Sequence, residues 1–329
     1  MMKILLTGAG GAAAISVWKS LNQEHEIYMA DIDPCAAGLY LVPPTRRLII
    51  PPGNSPQFPS VLLQECQKHQ IELFIPTVDC ELSPLALQEK QFAKHSIKMP
   101  LSSVEALERC RDKYSLLTYC RDTGHTPEFN LLTPTLDVAQ LQFPCFAKPR
   151  RGAGSNGAMS INSIEDLKIL PDDGSYLIQE LLPGDEYSVD VYIHSTGHPI
   201  AAVPRLRMKI DSGIAVAAQT CVNPQLSMMA IDTAKKVGIT YVANVQFKAD
   251  ARGDFKLLEI NPRFPGTLPL TAAAGIDIPR LLIDDLLNKP CASDLLPFKE
   301  LMVVRYWTEE FFEPEEWKAL CGSKKTETY

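Results

Sequence analysis

Tyr241–Gly266, YVANVQFKADARGDFKLLEINPRFPG, is the stretch on which the reading of this chain turns. It has the pattern of a two-stranded antiparallel hairpin. Alternation sets Ala243, Val245 and Phe247 on one face and Asn244, Gln246 and Lys248 on the other. The turn falls within Ala249–Asp254, where Gly253 is free to take positive φ. Side chains repeat with period two, so the return strand is expected to carry Phe255, Leu257, Glu259 and Asn261 on one side. A turn centred near Arg252–Gly253 brings Gln246 opposite Glu259, with Asn261 next along and Arg263 just past the strand. Oxygen-bearing side chains on one patch are what a hard divalent cation takes, with positions left for phosphate oxygens. A cation beside polyphosphate is the core of phosphoryl transfer. An ordinary polar surface hairpin is the competing reading.

At 329 residues the chain exceeds one comfortable core, and two or three domains are expected. Apolar and charged fractions of 46% and 22% are those of a globular protein rather than a disordered one. A net charge of −7 without a long basic run argues against a nucleic-acid partner. Nine scattered cysteines, with no C-x-x-C and no zinc spacing, read as reduced thiols. With no signal-peptide pattern and no apolar run of membrane-spanning length, the expectation is a cytoplasmic protein without a membrane partner.

Lys3–Thr7 is a buried-strand pattern that runs into GAGGAAA and a helix through Ser16–Leu21. Glycines at such a turn, Gly10 among them, let phosphate or substrate approach the positive helix end. The strand Glu26–Ala30 then ends in Asp31 and Asp33, where a dinucleotide-binding fold holds a ribose, so a nicotinamide-dependent oxidoreductase is a competing class. The glycine spacing is not G-x-G-x-x-G, and tight helix packing explains it equally well. Pro43–Pro59 reads as loop, Ser60–His69 as helix and Leu73–Pro76 as a strand. That strand delivers Thr77, Asp79 and Glu81 to the sheet edge where ligands of open α/β sheets sit. Asp79 and Glu81 serve equally well as favourable charges at a helix start.

After a boundary near Pro100–Ser103, one helix is expected over Val104–Arg121. Lys148 ends a short strand and precedes the loop Arg150–Ala158, with Gly152, Gly154, Ser155 and Gly157. A strand–glycine loop–strand is a flap whose N–H groups can close over phosphates, and here a lysine and two arginines flank it. Tyr176–Glu180 is an apolar strand ending in a carboxylate; backbone at Leu182 could pair with an adenine edge, and Glu186 with ribose hydroxyls. Arg205, Arg207 and Lys209 alternate, which reads as a solvated edge strand or as an anion site. Ser227–Gly238 is an amphipathic helix with Ser227 as its N-cap, and Pro279–Leu287 a further helix. The tail from Lys299 carries no motif.

Taken together these residues resemble the ATP-grasp superfamily, closest to single-module relatives of the carbamoyl phosphate synthase large subunit. The likeness is strongest from Phe146 to Leu286, and NVQFK…LLEINPRFPGT is its specific signature. The resemblance implies an N-terminal doubly wound parallel-sheet domain (1–102), an ATP-grasp domain of two α+β subdomains (103–185 and 186–295) and a tail (296–329). It implies that Lys113 and Lys148 contact the α- and β-phosphates under the loop 152–157. Glu180 and Leu182 would read adenine and Glu186 the ribose. Gln246, Glu259 and Asn261 would hold Mg2+, with Mn2+ as a substitute. Arg263, Asn261 and Arg207 would act on the transferred group, while Gly10, Asp79, Glu81, Arg205 and Arg207 would face substrate. The reaction implied is ligation of a small-molecule carboxylate to an amine through an acylphosphate, with release of ADP and phosphate. No side-chain nucleophile is needed, and no Ser/His or Cys/His constellation is evident. One module without a glutaminase domain argues against carbamoyl phosphate as product. A silent nucleotide-binding regulator stays as an alternative, and a homodimer stays open.

Overall fold

A computed structural model describes residues 1–152, 154 and 156–322. Ser155, expected in the phosphate-covering loop, lies outside the described residues. Fourteen strands form three sheets among them. The first is parallel, built from β1 (Lys3–Thr7), β2 (Glu26–Asp31), β3 (Arg47–Ile49) and β4 (Leu73–Ile75) in the order β3-β2-β1-β4. Its strands are short apolar runs because helices cover both faces. Leu5 and Phe74 pack against Phe58 and Leu62 of the helix Phe58–His69, while Ile4 and Leu6 face the other side with Val17 of the helix Ala12–Leu21. β3 corrects the expectation of loop over Pro43–Pro59: three residues suffice to extend the sheet edge, Leu48 lying beside Ala30.

The second sheet is antiparallel: β5 (Phe129–Leu131), β6 (Cys145–Pro149), β7 (Met159–Ile161) and β8 (Tyr176–Glu180), in the order β5-β8-β6-β7. The third, also antiparallel, comprises β9 (Glu186–Ile193), β10 (Pro199–Asp211), β11 (Ile214–Thr220), β12 (Tyr241–Ala249), β13 (Phe255–Asn261) and β14 (Met302–Val304). Its order is β13-β12-β9-β10-β11-β14. On one face Val191, Ala243, Val245 and Phe247 pack under the helix Pro224–Val237. Phe247 is fully buried there, and truncation to alanine would cost about 3–5 kcal/mol. On the other face Tyr192, Val203 and Val242 close one continuous core with Ile4, Leu6 and Val17 of the N-terminal unit.

Three local expectations are corrected. The helix expected over Val104–Arg121 is two, Val104–Arg111 and Lys113–Tyr119. Asp112 breaks it with extended backbone and caps the second helix by accepting from the N–H groups of Tyr114 and Ser115. The third-sheet helix begins at Pro224 with Asn223 as its N-cap, while Ser227 lies inside it and donates to the Ala202 carbonyl. The tail is not featureless, since β14 extends the third sheet and Phe312 stacks on Tyr40 of the N-terminal unit at 3.9 Å. No helix among the described residues is long and apolar enough to cross a membrane.

Candidate nucleotide and cation site

The hairpin forms with the expected register: Gln246 pairs with Glu259 and Asn244 with Asn261. One feature departs. A bulge follows Gln246, so Phe247 pairs with Leu257 and Leu258 has no opposite number. The phase of β13 therefore reverses at Leu258. Phe255 and Leu257 pack on the core under Pro224–Val237 together with Ile260, whereas Leu258 and Glu259 line a cleft between the second and third sheets. The expectation that Phe255, Leu257, Glu259 and Asn261 share one face is corrected accordingly.

The cleft has a volume of about 270 Å³. Lys148, at the end of β6, is 8% exposed and donates to the Leu258 carbonyl at 3.2 Å. Burial pushes its amine down to about 8; Glu259 opposes this and Lys113 adds to it. Lys113 donates to the Gly152 carbonyl at 2.7 Å and stands 3.5 Å from Glu259 Oε2. Burial works against the Glu259 charge, but Lys113, the Asn261 amide and Lys148 more than offset it and hold the carboxyl below its ordinary range. The first arm of the glycine loop is stapled at its base, because Arg150 forks onto Asp112 at 2.7–2.8 Å and Lys113 N–H donates to Arg150 O.

Gly152 and Gly154 line the cleft, whereas Gly157, at φ +73°, turns the loop back toward β7 and does not. Across the cleft the β10–β11 turn meets the loop so closely that a Cβ on Gly213 would lie 2.8 Å from Gly154 Cα. Only a glycine fits there. Arg207 lines the same wall, 3.1 Å from Glu186 and donating to Gly213 O at 2.9 Å; burial lowers its pKa. Leu182 and Glu186 also border the cleft.

Glu180 does not. Its Oε1 accepts the Glu128 N–H at 3.1 Å, because successive side chains of a strand point to opposite faces. Gln179 takes the cleft face instead, beside its cross-strand partner Phe146. It is 4% exposed, and its Oε1 has no hydrogen-bond partner among the described residues. Leu177 and Ile178 are both buried, so alternation along the strand does not by itself separate Gln179 from Glu180. An orphaned buried acceptor facing a cleft asks for a donor from a ligand.

A second cavity, about 450 Å³, opens between the helix Asp79–Ala86, the helix Val104–Arg111 and the end of β13. It shares Lys113, Gly152 and Glu259 with the first, so these residues stand at the junction of the two. Asn261 and Asp79 line it, and Arg263 forks onto Asp79 with both contacts at 2.8 Å. Arg111, and Arg151 from the arginine pair that flanks the glycine loop, border the same space, although neither was expected as a substrate residue.

Three expected substrate residues lie elsewhere. Arg205 is fully buried and paired with Asp190, because its strand position turns it inward and a bulge after Arg207 breaks the alternation with Lys209. Glu81 is 4% exposed, accepts from Thr7 Oγ1 at 2.5 Å and lines neither cavity; burial pushes its carboxyl up to about 8. Gly10 lines neither cavity, and its N–H is donated to Asp31 at 2.8 Å. The donor and acceptor that a dinucleotide would have used thus satisfy each other.

The donor set for a cation is one carboxylate, Glu259, with the amides of Gln246 and Asn261. Asn261 Nδ2 donates to Glu259 Oε1 at 3.0 Å and Gln246 Nε2 to Asn244 Oδ1 at 3.3 Å, which leaves an amide oxygen on each. Among the described residues no cluster of three His, Cys, Asp or Glu exists. Hard oxygens with a single charge fit a Mg2+ ion that arrives with phosphate oxygens of its own.

Residues 173–310 match the family model described as ATP-grasp in the biosynthetic pathway with Ter operon, and residues 4–100 match the PylC-like N-terminal domain. The D-alanine–D-alanine ligase of Thermotoga petrophila is 28% identical over 189 residues, 50% of this chain and 62% of that protein. The match therefore spans less than two-thirds of that relative's length. The biotin carboxylase domain of Hydrogenobacter thermophilus 2-oxoglutarate carboxylase, solved with MgADP, ADP and bicarbonate, superposes with a TM-score of 0.72 at 14% identity over 92% of this chain and 74% of that one. The L-amino acid ligase of Bacillus licheniformis gives 0.66 at 14% identity, over 87% and 74%. At these identities the structural likeness is one of fold.

Proposed function

We propose that the chain, whose residues 173–310 match an ATP-grasp family model and whose residues 4–100 match a PylC-like N-terminal model, is an ATP-dependent carboxylate–amine ligase of the ATP-grasp superfamily that works through an acylphosphate. The observation that supports this most is the junction of the two cavities. Lys113, Gly152 and Glu259 border both, so a γ-phosphate held in the first faces an acceptor held in the second. Lys113 and Lys148 supply positive charge to phosphate oxygens, and the glycine loop excludes water above them. Gln179 Oε1 accepts from the adenine amine, with the Leu182 backbone beside it. Gln246, Glu259 and Asn261 would hold Mg2+, which when bound neutralises charge on the phosphate oxygens.

In the first step a carboxylate oxygen of the substrate attacks the γ-phosphorus, the bond to the β,γ-bridging oxygen breaks and ADP leaves. In the second an amine attacks the acyl carbon, the C–O bond to phosphate breaks and a proton is lost from nitrogen. Arg263, which lines neither cavity itself but is held by Asp79 of the second one, is the residue proposed to steady the transferred group. The ligases of T. petrophila and B. licheniformis support an amino acid as one substrate.

A screen of amino acids and metabolite acids, each with an amine, tests the proposal by ADP release. ADP and phosphate formed in equal amounts, only when acid and amine are both present, are the expected result. AMP and pyrophosphate as products would refute the acylphosphate route.

A further inference from the structure

Beneath the cleft lies a buried polar row that the reaction above does not use. Asp190 and Arg205 are fully buried and Asn244 is 4% exposed. Asp190 accepts from Arg205 Nη2 at 2.5 Å and Nε at 3.0 Å, from Thr271 Oγ1 at 2.5 Å and from Asn244 Nδ2 at 2.7 Å. Arg205 Nη1 donates further to Thr267 Oγ1. The sheet register places this group beside the cation ligands: Asp190, Asn244 and Asn261 are neighbours across three strands, and Ser188, Gln246 and Glu259 form the next row.

A primary amide has one donor end and one acceptor end, and only its partners decide which way it faces. Asp190 offers acceptors alone, so Asn244 must turn Nδ2 toward it. Asn244 Oδ1 then faces Gln246, which turns Nε2 toward it at 3.3 Å. What remains at the cleft is Gln246 Oε1. Reversing Asn244 would set its oxygen directly against the buried Asp190 carboxylate. We propose that Asp190 and Asn244 form an amide-orienting relay, positioning residues that fix the oxygen end of Gln246 toward the divalent cation. The relay rests on the ligase reading of this site. It accounts for a carboxylate that faces no substrate, and for how an uncharged side chain serves a cation reliably.

The test measures Mn2+ binding by electron paramagnetic resonance in the presence of a saturating non-hydrolysable ATP analogue. Asn244→Leu keeps the volume and leaves Asp190 with Arg205 and Thr271, but lets the Gln246 amide rotate. Mn2+ affinity is expected to fall by about 10–100-fold, the range for losing an outer partner of a metal ligand, while analogue affinity in EDTA is unchanged. Adding Gln246→Glu to Asn244→Leu should restore Mn2+ binding, because a carboxylate has an oxygen at either end and needs no orienting. Because the new carboxylate also adds a charge, the double variant is compared with Gln246→Glu alone: the relay predicts that Asn244→Leu costs no further Mn2+ affinity in that background, whereas a merely structural role predicts the same loss in both backgrounds. Asn244→Ser, measured in the same way, serves should the leucine variant not fold. Unchanged Mn2+ affinity in the Asn244 variants, or a double variant as weak as the single one, would overturn the relay and leave the ligase reading standing. Wild-type protein that binds the analogue but no Mn2+ would overturn both.

Discussion

Lys148 is the residue on which nucleotide binding and protonation meet. The residue is 8% exposed, and its one hydrogen bond among the described residues is to the Leu258 carbonyl. Burial moves its pKa from 10.5 to about 8, ahead of the opposing pull of Glu259. At about 1.4 kcal/mol per tenfold, holding this charge costs the folded protein about 3 kcal/mol at neutral pH. The folded state binds fewer protons here than the unfolded one between about pH 8 and 10.5, so this group's contribution to stability rises with pH across that window. Polyphosphate reverses the balance by giving the amine a counter-charge. At pH 8 the free protein is then about half protonated at this site and the complex fully so, and binding takes up about half a proton. Calorimetry of a non-hydrolysable ATP analogue, in buffers of different ionisation enthalpy, reads that number directly. Lys148→Arg keeps the charge at all these pH values and should abolish the uptake. Lys148→Met should abolish it too and weaken binding at pH 7 by about 2 kcal/mol, some 30-fold. The same methionine should raise the free energy of unfolding, by at most about 3 kcal/mol. A Lys148→Met protein with wild-type affinity and wild-type proton uptake would refute the assignment.

Glu259→Gln keeps the shape of the strand but removes the only carboxylate of the cation site; Mn2+ affinity and ATP turnover should fall by orders of magnitude while stability moves by no more than about 1 kcal/mol. Normal turnover in a variant that melts like the parent would sink the cation site. Gln179→Leu removes an orphaned buried acceptor, so binding of ATP should weaken by about 1–2 kcal/mol while binding of ITP, which lacks the exocyclic amine, stays as it was. Equal losses for the two nucleotides would disprove base reading by this residue. Glu81, raised by burial to about 8, contributes stability that is complete below its ordinary carboxylate pKa and is lost as pH rises through about 8. Glu81→Gln should flatten that decline in urea unfolding between pH 5 and 9, and an unchanged slope would show that Glu81 is not its source.

The parts of the site legible in the sequence were those fixed by one strand pair. Gln246 faces Glu259 and Asn244 faces Asn261 because period-two alternation and a short turn determine both at once. The bulge at Leu258 was not legible, since leucine suits the core and the cleft wall alike, and nothing local says which strand carries the extra residue. Arg205 shows the same limit more sharply. In sequence it is one of three alternating cations, but its carboxylate partner lies fifteen residues upstream on β9, where only the folded register brings them together. Glu180 attracted attention because it carries a charge, yet the neutral neighbour Gln179 holds the cleft face and lacks a partner. Asp112 looked like one more residue of a helix because its role is set by Arg150, on the far side of β5 in the chain. In each case the side chain's type was readable and its partner was not, and it is the partner that decides whether a polar group builds the scaffold or waits for a ligand. The hairpin was therefore legible early, while the row beneath it follows only from the folded register that sets Asp190, Asn244 and Gln246 on one face of the sheet.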